Sequence, residues 1–248
     1  MKIEISVIIP FYDDLFFLKK AISSVLKQSI KNYEIIIIHD NPKGKKNLFD
    51  LKRLIKRKRN IRLLNNEKNL GAGYSRNRGI KIAKGKFIAF LDSDDTWSKN
   101  KLLIQRNFMK RKNILASHTS YDILDIDNNF IKKRISSNLK YHNLLNSCDI
   151  GLSTVMINRK LFKGSYFFPN LKTKEDYVLW LKIAKKGVIF YGLKKTLTKW
   201  TDKPNSLSKS VYQKLRDAFM VYYKYEGFNF FKSLLKVTIL SIYFLKKK

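Results

Sequence analysis

Along the first hundred residues, short apolar runs alternate with stretches whose apolar positions recur every three to four residues, a pattern of strands separated by amphipathic helices. Ile3 to Ile9 predicts a buried strand ended by Pro10. Asp13 or Asp14 is placed to cap a helix from about Leu15 to Gln28, in which Leu18, Ile22, Val25 and Leu26 share one face. Tyr33 to His39 predicts a second strand, Leu48, Leu51 and Ile55 a short basic helix, and Ile61 to Leu64 a third strand. A helix from Tyr74 to Lys84 follows Gly71-Ala72-Gly73, and a fourth strand from Lys86 to Leu91 runs straight into Asp92-Ser93-Asp94-Asp95. This order predicts a βαβα layout on a largely parallel sheet. Ligands of such sheets gather beyond the carboxyl ends of the strands, where Tyr12, Asp40 and the acidic run emerge.

The second half is less regular. Leu115 to Ser136, turning at Asn128-Asn129, predicts antiparallel structure, and Ser153 to Asn158 another strand. Lys174 to Lys186 predicts a helix stopped by Gly187, and Ser208 to Glu226 one stopped by Gly227. Phe228 to Leu245 is long enough for a helix of roughly 27 Å. With no repeat or low-complexity linker in between, the expected organisation is one domain over 1–205, with halves 1–98 and 99–205, followed by a helical tail over 206–248. In that tail Asn229, Lys232, Ser233 and Lys236 form a narrow polar stripe, and Lys246 to Lys248 follow. Two readings are open: a helix lying on an anionic inner leaflet, or one packed against the domain or a second subunit.

Composition adds few constraints. Hydrophobic residues make up 44% and aromatics 13% of the 248 residues, enough for a buried core without disulfides. The formal net charge of +33 raises the question of a polyanionic partner. The basic residues are scattered and mostly lysine, rather than gathered in an aromatic-interleaved stripe, so no nucleic-acid partner is expected. Cys148 is the single cysteine and reads as a small buried residue; His39, His118 and His142 lie far apart and form no zinc signature. The short apolar run near the amino terminus stops at Pro10, with Asp13 and Asp14 behind it, which argues against a secretory signal and for a cytoplasmic protein.

The acidic run carries the candidate chemistry. Asp92, Asp94 and Asp95 repel one another unless a cation offsets them, and oxygen-only ligands suit Mg²⁺ or Mn²⁺. By itself the run could equally cap a helix starting near Lys99.

Wider context narrows the choice. Ser6-Val7-Ile8-Ile9-Pro10-Phe11-Tyr12, Ser24-Val25-Leu26-Lys27-Gln28-Ser29 and Tyr33-Glu34-Ile35-Ile36-Ile37-Ile38-His39-Asp40-Asn41 come first. Asn69-Leu70-Gly71, Ser75-Arg76-Asn77-Arg78-Gly79-Ile80, the stretch from Ala83 through Asp95, Trp97, and Thr173-Lys174-Glu175-Asp176-Tyr177-Val178-Leu179-Trp180-Leu181 follow in order. Together, over about residues 4–208, these resemble the family 2 glycosyltransferases, which have the α/β GT-A fold. The resemblance implies a nucleotide-sugar donor whose base and ribose lie near Pro10, Tyr12 and Asp40, with Arg76 near the diphosphate. Asp92 and Asp94 would serve the ribose and metal, and Asp94 and Asp95 are the implied metal positions. Asp176, with Glu175 beside it, matches the catalytic base of an inverting transfer to a hydroxyl acceptor. A glycan or lipid-linked acceptor in cell-surface polysaccharide, lipopolysaccharide or glycan assembly is implied as well.

Three departures stand out. His39 occupies the first position of a common acidic pair, and Ser75 replaces a usual alanine. In Trp200-Thr201-Asp202-Lys203-Pro204-Asn205-Ser206-Leu207-Ser208, Thr201 and Lys203 stand where arginine and histidine are frequent, leaving Lys203 as a point charge for the diphosphate. The rival readings are a nucleotidyltransferase, for which Phe11-Tyr12-Asp13-Asp14-Leu15 lacks a glycine-rich phosphate loop, and a catalytically idle basic module that binds anionic membrane or nucleic acid.

Overall fold

The computed structural model describes residues 2–162, 164, 167–204 and 210–246. The start of the helix expected at Ser208, the Asn205-Ser206-Leu207-Ser208 end of the Trp200 stretch, and Lys247-Lys248 lie outside the described residues.

Its framework is one mixed sheet. The strands are β1 (Ile5–Phe11), β2 (Tyr33–His39), β3 (Ile61–Asn65), β4 (Phe87–Phe90), β5 (Thr96–Trp97), β6 (Ala116–Leu124), β7 (Phe130–Arg134), β8 (Met156–Asn158) and β9 (Phe190–Thr201). They lie in the order β3-β2-β1-β4-β8-β6-β9-β5, with β7 on β6. The first four are parallel, as expected. Beyond them β8 is antiparallel to β4 and β6, while β9 runs parallel to β6.

Alternation along buried strands sends side chains into two cores. Ile5, Val7, Ile9, Ile35 and Ile37 join Leu18, Ile22 and Val25 of α1 (Leu15–Leu26), Leu51 of α2 (Lys45–Ile55) and Leu102 of α4 (Lys101–Arg111). Ile8, Ile36 and Ile38 face the other way, toward Ile80 of α3 (Gly71–Ile82) and Trp180 of α6 (Glu175–Lys185). Gly79 lets α3 close on β1, since a Cβ there would stand 2.6 Å from a methyl of Ile8.

Several elements differ from the sequence reading, each for a local reason. β1 continues through Pro10 to Phe11; it is paired with β4 only as far as Ile8, so the missing proline N–H costs no ladder bond. α3 begins at Gly71 rather than Tyr74, because the Asp40 carboxylate accepts from the Leu70 and Gly71 N–H groups at 2.9 and 2.7 Å and satisfies the helix start from the end of β2. The acidic run does not cap a helix near Lys99. Thr96 and Trp97 instead pair with β9, and α4 starts at Lys101. β9 itself escaped the pattern, because its Leu193-Lys194-Lys195-Thr196-Leu197-Thr198-Lys199 core lacks apolar alternation. Of the strand expected from Ser153, only Met156–Asn158 is extended; Leu152–Thr154 is a 3-10 turn. Cys148, expected to be buried, is exposed.

The carboxyl-terminal segment is a helical hairpin. α7 (Val211–Met220) passes into a π-helical turn over Val221–Tyr225, and after Gly227, at φ 73°, the chain returns as α8 (Phe230–Lys246). Ala218, Val221, Tyr222, Val237 and Leu240 belong to the same buried cluster as Trp180. Of the polar stripe on α8, Ser233 is fully buried and Lys236 Nζ donates to Asn146 Oδ1 at 2.8 Å, while Asn229 and Lys232 are exposed. The opposite face presents Phe231, 80% exposed, with Leu235, Ile242 and Leu245 outward as well. No described helix is long and apolar enough to cross a membrane.

Candidate active site

Register sets the site. β1, β2 and β4 are parallel and end at one edge, with Phe11 opposite His39 and Ile8 opposite Phe90, so Tyr12, Asp40 and the acidic run leave the sheet together. Tyr12 is 53% exposed and its ring is available to a ligand. Pro10 and Asp40 are buried beside it. Asp40 is already committed within the chain: besides the two N–H groups of 70 and 71, it accepts from Asn66 Nδ2 at 2.6 Å. His39 does not replace an acid here. Its ring packs on Phe11 at 5.5 Å, and burial holds it below the usual histidine range, hence neutral.

Arg76 links the sheet edge to α6. On the second turn of α3, it donates through one terminal nitrogen to Asp92 at 2.7 Å and through the other to Glu175 at 2.6 Å. Its side chain is 5% exposed, and the two carboxylates hold its pKa above its ordinary value against burial. The expectation placed Arg76 near a diphosphate; in the structure its two terminal nitrogens bond Asp92 and Glu175. Replacing Arg76 with methionine is therefore expected to lower stability by about 3–5 kcal/mol, because two carboxylates lose their shared cation in a poorly solvated place. Urea unfolding monitored by tryptophan fluorescence measures it.

The three aspartates of the acidic run have separate roles. Asp95 is fully buried and its Oδ1 accepts from the Thr201 N–H at 3.0 Å, while Thr201 Oγ1 donates to the Asp94 carbonyl at 2.6 Å. These bonds fasten the acidic loop to the end of β9. Burial first, then the charges of Asp94 and Asp92, push the Asp95 carboxyl well above the usual range. Asp94 remains about a third exposed, with Lys203 Nζ at 3.8 Å; burial and Asp92 push its carboxyl up to about 6, and Lys203 opposes them. Lys203 Nζ also reaches Asp14 at 2.9 Å and sits 3.8 Å above the Phe17 ring.

Glu175 and Asp176 open α6. Lys174 before them has a left-handed backbone, φ 61°, which turns the chain sharply into the helix. Glu175 is buried against Arg76, whereas Asp176 is half-buried and, among the described residues, accepts from no other side chain. Burial, followed by the charge of Glu175, pushes the Asp176 carboxyl up to about 7, and Arg76 pulls the other way. A carboxylate in that range is a far stronger proton acceptor than an ordinary aspartate.

The metal expectation can be tested on the donor set. Among the described residues no group of three or more His, Cys, Asp or Glu could hold a metal ion alone. What the site offers is Asp94, with Asp92 nearby, and a surplus of negative charge that keeps the Asp94 carboxyl raised. Such a set suits a hard cation that completes its shell with phosphate oxygens and water. Asp95, the other implied metal position, is fully buried with Oδ1 engaged by Thr201, and its Oδ2 has no hydrogen-bond partner among the described residues.

Sequence reasoning missed Ser153, Asn66 and Thr201 as supports of this edge. Ser153 Oγ accepts from the Asp92 N–H at 3.0 Å and its carbonyl from the Trp97 ring N–H at 2.8 Å. Small polar residues carry no periodic signal, and only the neighbouring Trp97 hinted at them.

A parallel edge with its acidic strand end, extended by antiparallel strands and a helix bearing the candidate base, defines the GT-A class of glycosyltransferases. The chain belongs to Glycosyl transferase family 2, whose pattern matches residues 6–167. It is 33% identical over 92% of its length to the putative teichuronic acid biosynthesis glycosyltransferase TuaG of Bacillus subtilis (strain 168), covering 91% of that protein. It is also 38% identical over 75% of its length to the Escherichia coli UDP-Glc:alpha-D-GlcNAc-diphosphoundecaprenol beta-1,3-glucosyltransferase WfgD, covering 71% of that protein. Against an uncharacterized glycosyltransferase of Rickettsia felis, 39% identical, it spans only 32% of the longer relative. Among solved structures, S. aureus TarS 1-349 in complex with UDP-GlcNAc superimposes with a TM-score of 0.71 at 20% identity, over 96% of this chain and 70% of that one. The mannosyltransferase PcManGT from Pyrobaculum calidifontis, in complex with GDP-Man and Mn²⁺, gives 0.70 at 13% identity, over 96% and 70%.

Proposed function

We propose that this glycosyltransferase moves a sugar from a nucleotide-diphosphate donor to a hydroxyl of a lipid-linked glycan during cell-surface polysaccharide assembly, with inversion at the anomeric carbon. The observation that carries the reading is Asp176: a half-buried carboxylate raised to about 7, tied through Glu175 and Arg76 to the acidic strand end. The names of TuaG and WfgD support the pathway and acceptor class. Membership of a transferase family sets aside the nucleotidyltransferase and idle-module readings.

In this reading the donor base lies over Tyr12 beside Pro10, and Asp40 shapes that pocket by holding the 70–71 backbone. Lys203 supplies a positive charge beside Asp94, toward the diphosphate. Asp176 takes the proton from the acceptor hydroxyl as its oxygen bonds to the anomeric carbon. The carbon–oxygen bond to the diphosphate breaks, and its electron pair leaves with the nucleoside diphosphate. Asp94, with Asp92, would hold Mg²⁺ or Mn²⁺, which when bound offsets the charge developing on that diphosphate. Glu175 and Arg76 keep the base and the acidic edge in one frame rather than react themselves.

The outward apolar face of α8, in a chain of net charge +33, supports a location on the anionic cytoplasmic face of a membrane, where a lipid-linked acceptor would reside. Domain 1–205 performs the transfer and the 206–248 tail meets the lipid. A panel of UDP-, GDP- and dTDP-sugars tested with and without Mn²⁺ is expected to give one nucleotide class that raises Tm by several degrees only when metal is present. Equal shifts with and without metal would remove the cation from the mechanism.

A further inference from the structure

We infer that Asp217, on α7 of the carboxyl-terminal hairpin, is a positioning residue for Asp176; the inference rests on the assignment of Asp176 as the base. Asp217 is 2% exposed. Its Oδ2 accepts from both the backbone N–H and the hydroxyl of Thr173, at 2.9 and 2.8 Å, and its Oδ1 accepts from Gln213 Nε2 at 2.9 Å. Thr173 directly precedes Lys174, the left-handed residue whose turn aims α6, so a single buried carboxylate pins the chain just where it bends toward Glu175 and Asp176.

The same hairpin grips the other side of the base. Tyr177, the residue after Asp176, is fully buried; its hydroxyl donates to the Leu144 carbonyl and lies 3.0 Å from the hydroxyl of Tyr222, which donates to the Leu145 carbonyl at 3.0 Å. Tyr222 sits in the π-helical turn that immediately follows α7, a local widening of the helix that recurs at functional sites. Asp217 and Tyr222 therefore bracket the stretch from Thr173 to Tyr177. Both lie beyond residue 167, where the match to the family pattern stops. A base whose oxygen must meet an acceptor proton within a few tenths of an ångström loses rate steeply when its backbone loosens, whereas the donor contacts proposed at Pro10, Tyr12 and Asp94 come from other elements and depend on it less.

The test compares Asp217→Ala and Asp217→Asn in the full chain, using whichever sugar of the UDP, GDP and dTDP panel is turned over and following nucleoside diphosphate release. Alanine removes all three acceptor bonds. Asparagine keeps an oxygen for Thr173, and Gln213 can rotate its amide to present oxygen to the new Nδ2. The expected result is a kcat at least ten-fold lower for Asp217→Ala with donor KM within two-fold of the parent, and recovery of more than half the lost rate in Asp217→Asn. Unchanged kcat in Asp217→Ala, or a matching rise in donor KM, overturns the inference; so does an asparagine variant no better than alanine. If the alanine variant fails to fold, Thr173→Val, which keeps the backbone bond and loses the hydroxyl one, must still show the kcat loss without a KM change. Asp176→Asn run alongside separates the two readings. Loss of transfer there together with normal kcat in the Asp217 variants rejects the brace alone, while retained transfer in Asp176→Asn rejects the base assignment itself.

Discussion

Asp176→Asn is expected to lower transfer about 10²–10⁴-fold, the range a positioned general base contributes, while leaving metal-dependent stabilisation by donor intact. The split follows from the proposed arrangement, in which Asp176 opens α6 while the donor contacts lie at the ends of β1, β2 and β4. In the parent enzyme kcat/KM should climb as pH rises through about 7, since only the ionised carboxylate accepts a proton. The sign for stability is opposite. A carboxyl raised in the folded state favours folding when protonated, and that contribution is lost as pH rises through about 7. The asparagine variant, which never ionises, is therefore expected to melt higher than the parent at pH 8, with a smaller difference at pH 5. Calorimetry at the two pH values measures this, and a lower melting temperature at pH 8 would contradict the cause assigned to the raised carboxyl.

The second large effect falls on the acidic run. Asp94→Ala is expected to cost about 10²–10³-fold in kcat/KM, comparable to losing a principal electrostatic stabiliser of a transition state, and to abolish the Mn²⁺ dependence of donor-induced stabilisation. Asp95→Asn should behave differently. Its Oδ1 is engaged by the Thr201 N–H and its side chain is fully buried, so the expected loss is in stability, with Mn²⁺ dependence retained. Titrating Mn²⁺ against each variant while following Tm separates them; equal loss of metal dependence in both would mean that Asp95 also reaches the ion.

Much of this edge was legible in the residues. The apolar runs ending in Tyr12, Asp40 and Asp92 gave the parallel half, since uninterrupted isoleucine runs such as Ile35 to Ile38 have few alternatives to a doubly covered strand. Pairings made by polar atoms were not legible. That Asp40 would hold the start of α3, or that Arg76 would bond Asp92 and also Glu175, 99 residues further along from Arg76, depends on distances that no local pattern encodes. β9 was missed for a related reason: lysine and threonine fill a strand whose burial comes from its neighbours rather than its own composition. In α8 the polar stripe was visible, but not its direction, because periodicity defines two faces without saying which meets the protein.

The exposed apolar face of α8 has a practical side. An oily outer surface invites anyone handling the protein to trim it near residue 205, where the sequence suggests a border. Such a cut would discard Asp217 and Tyr222 along with the grease, leaving Thr173 and Tyr177 without their outer supports. A shortened form could thus be well behaved in the tube, hold nucleotide normally and still turn over slowly, so sluggish catalysis by a truncated enzyme would say little about the intact one.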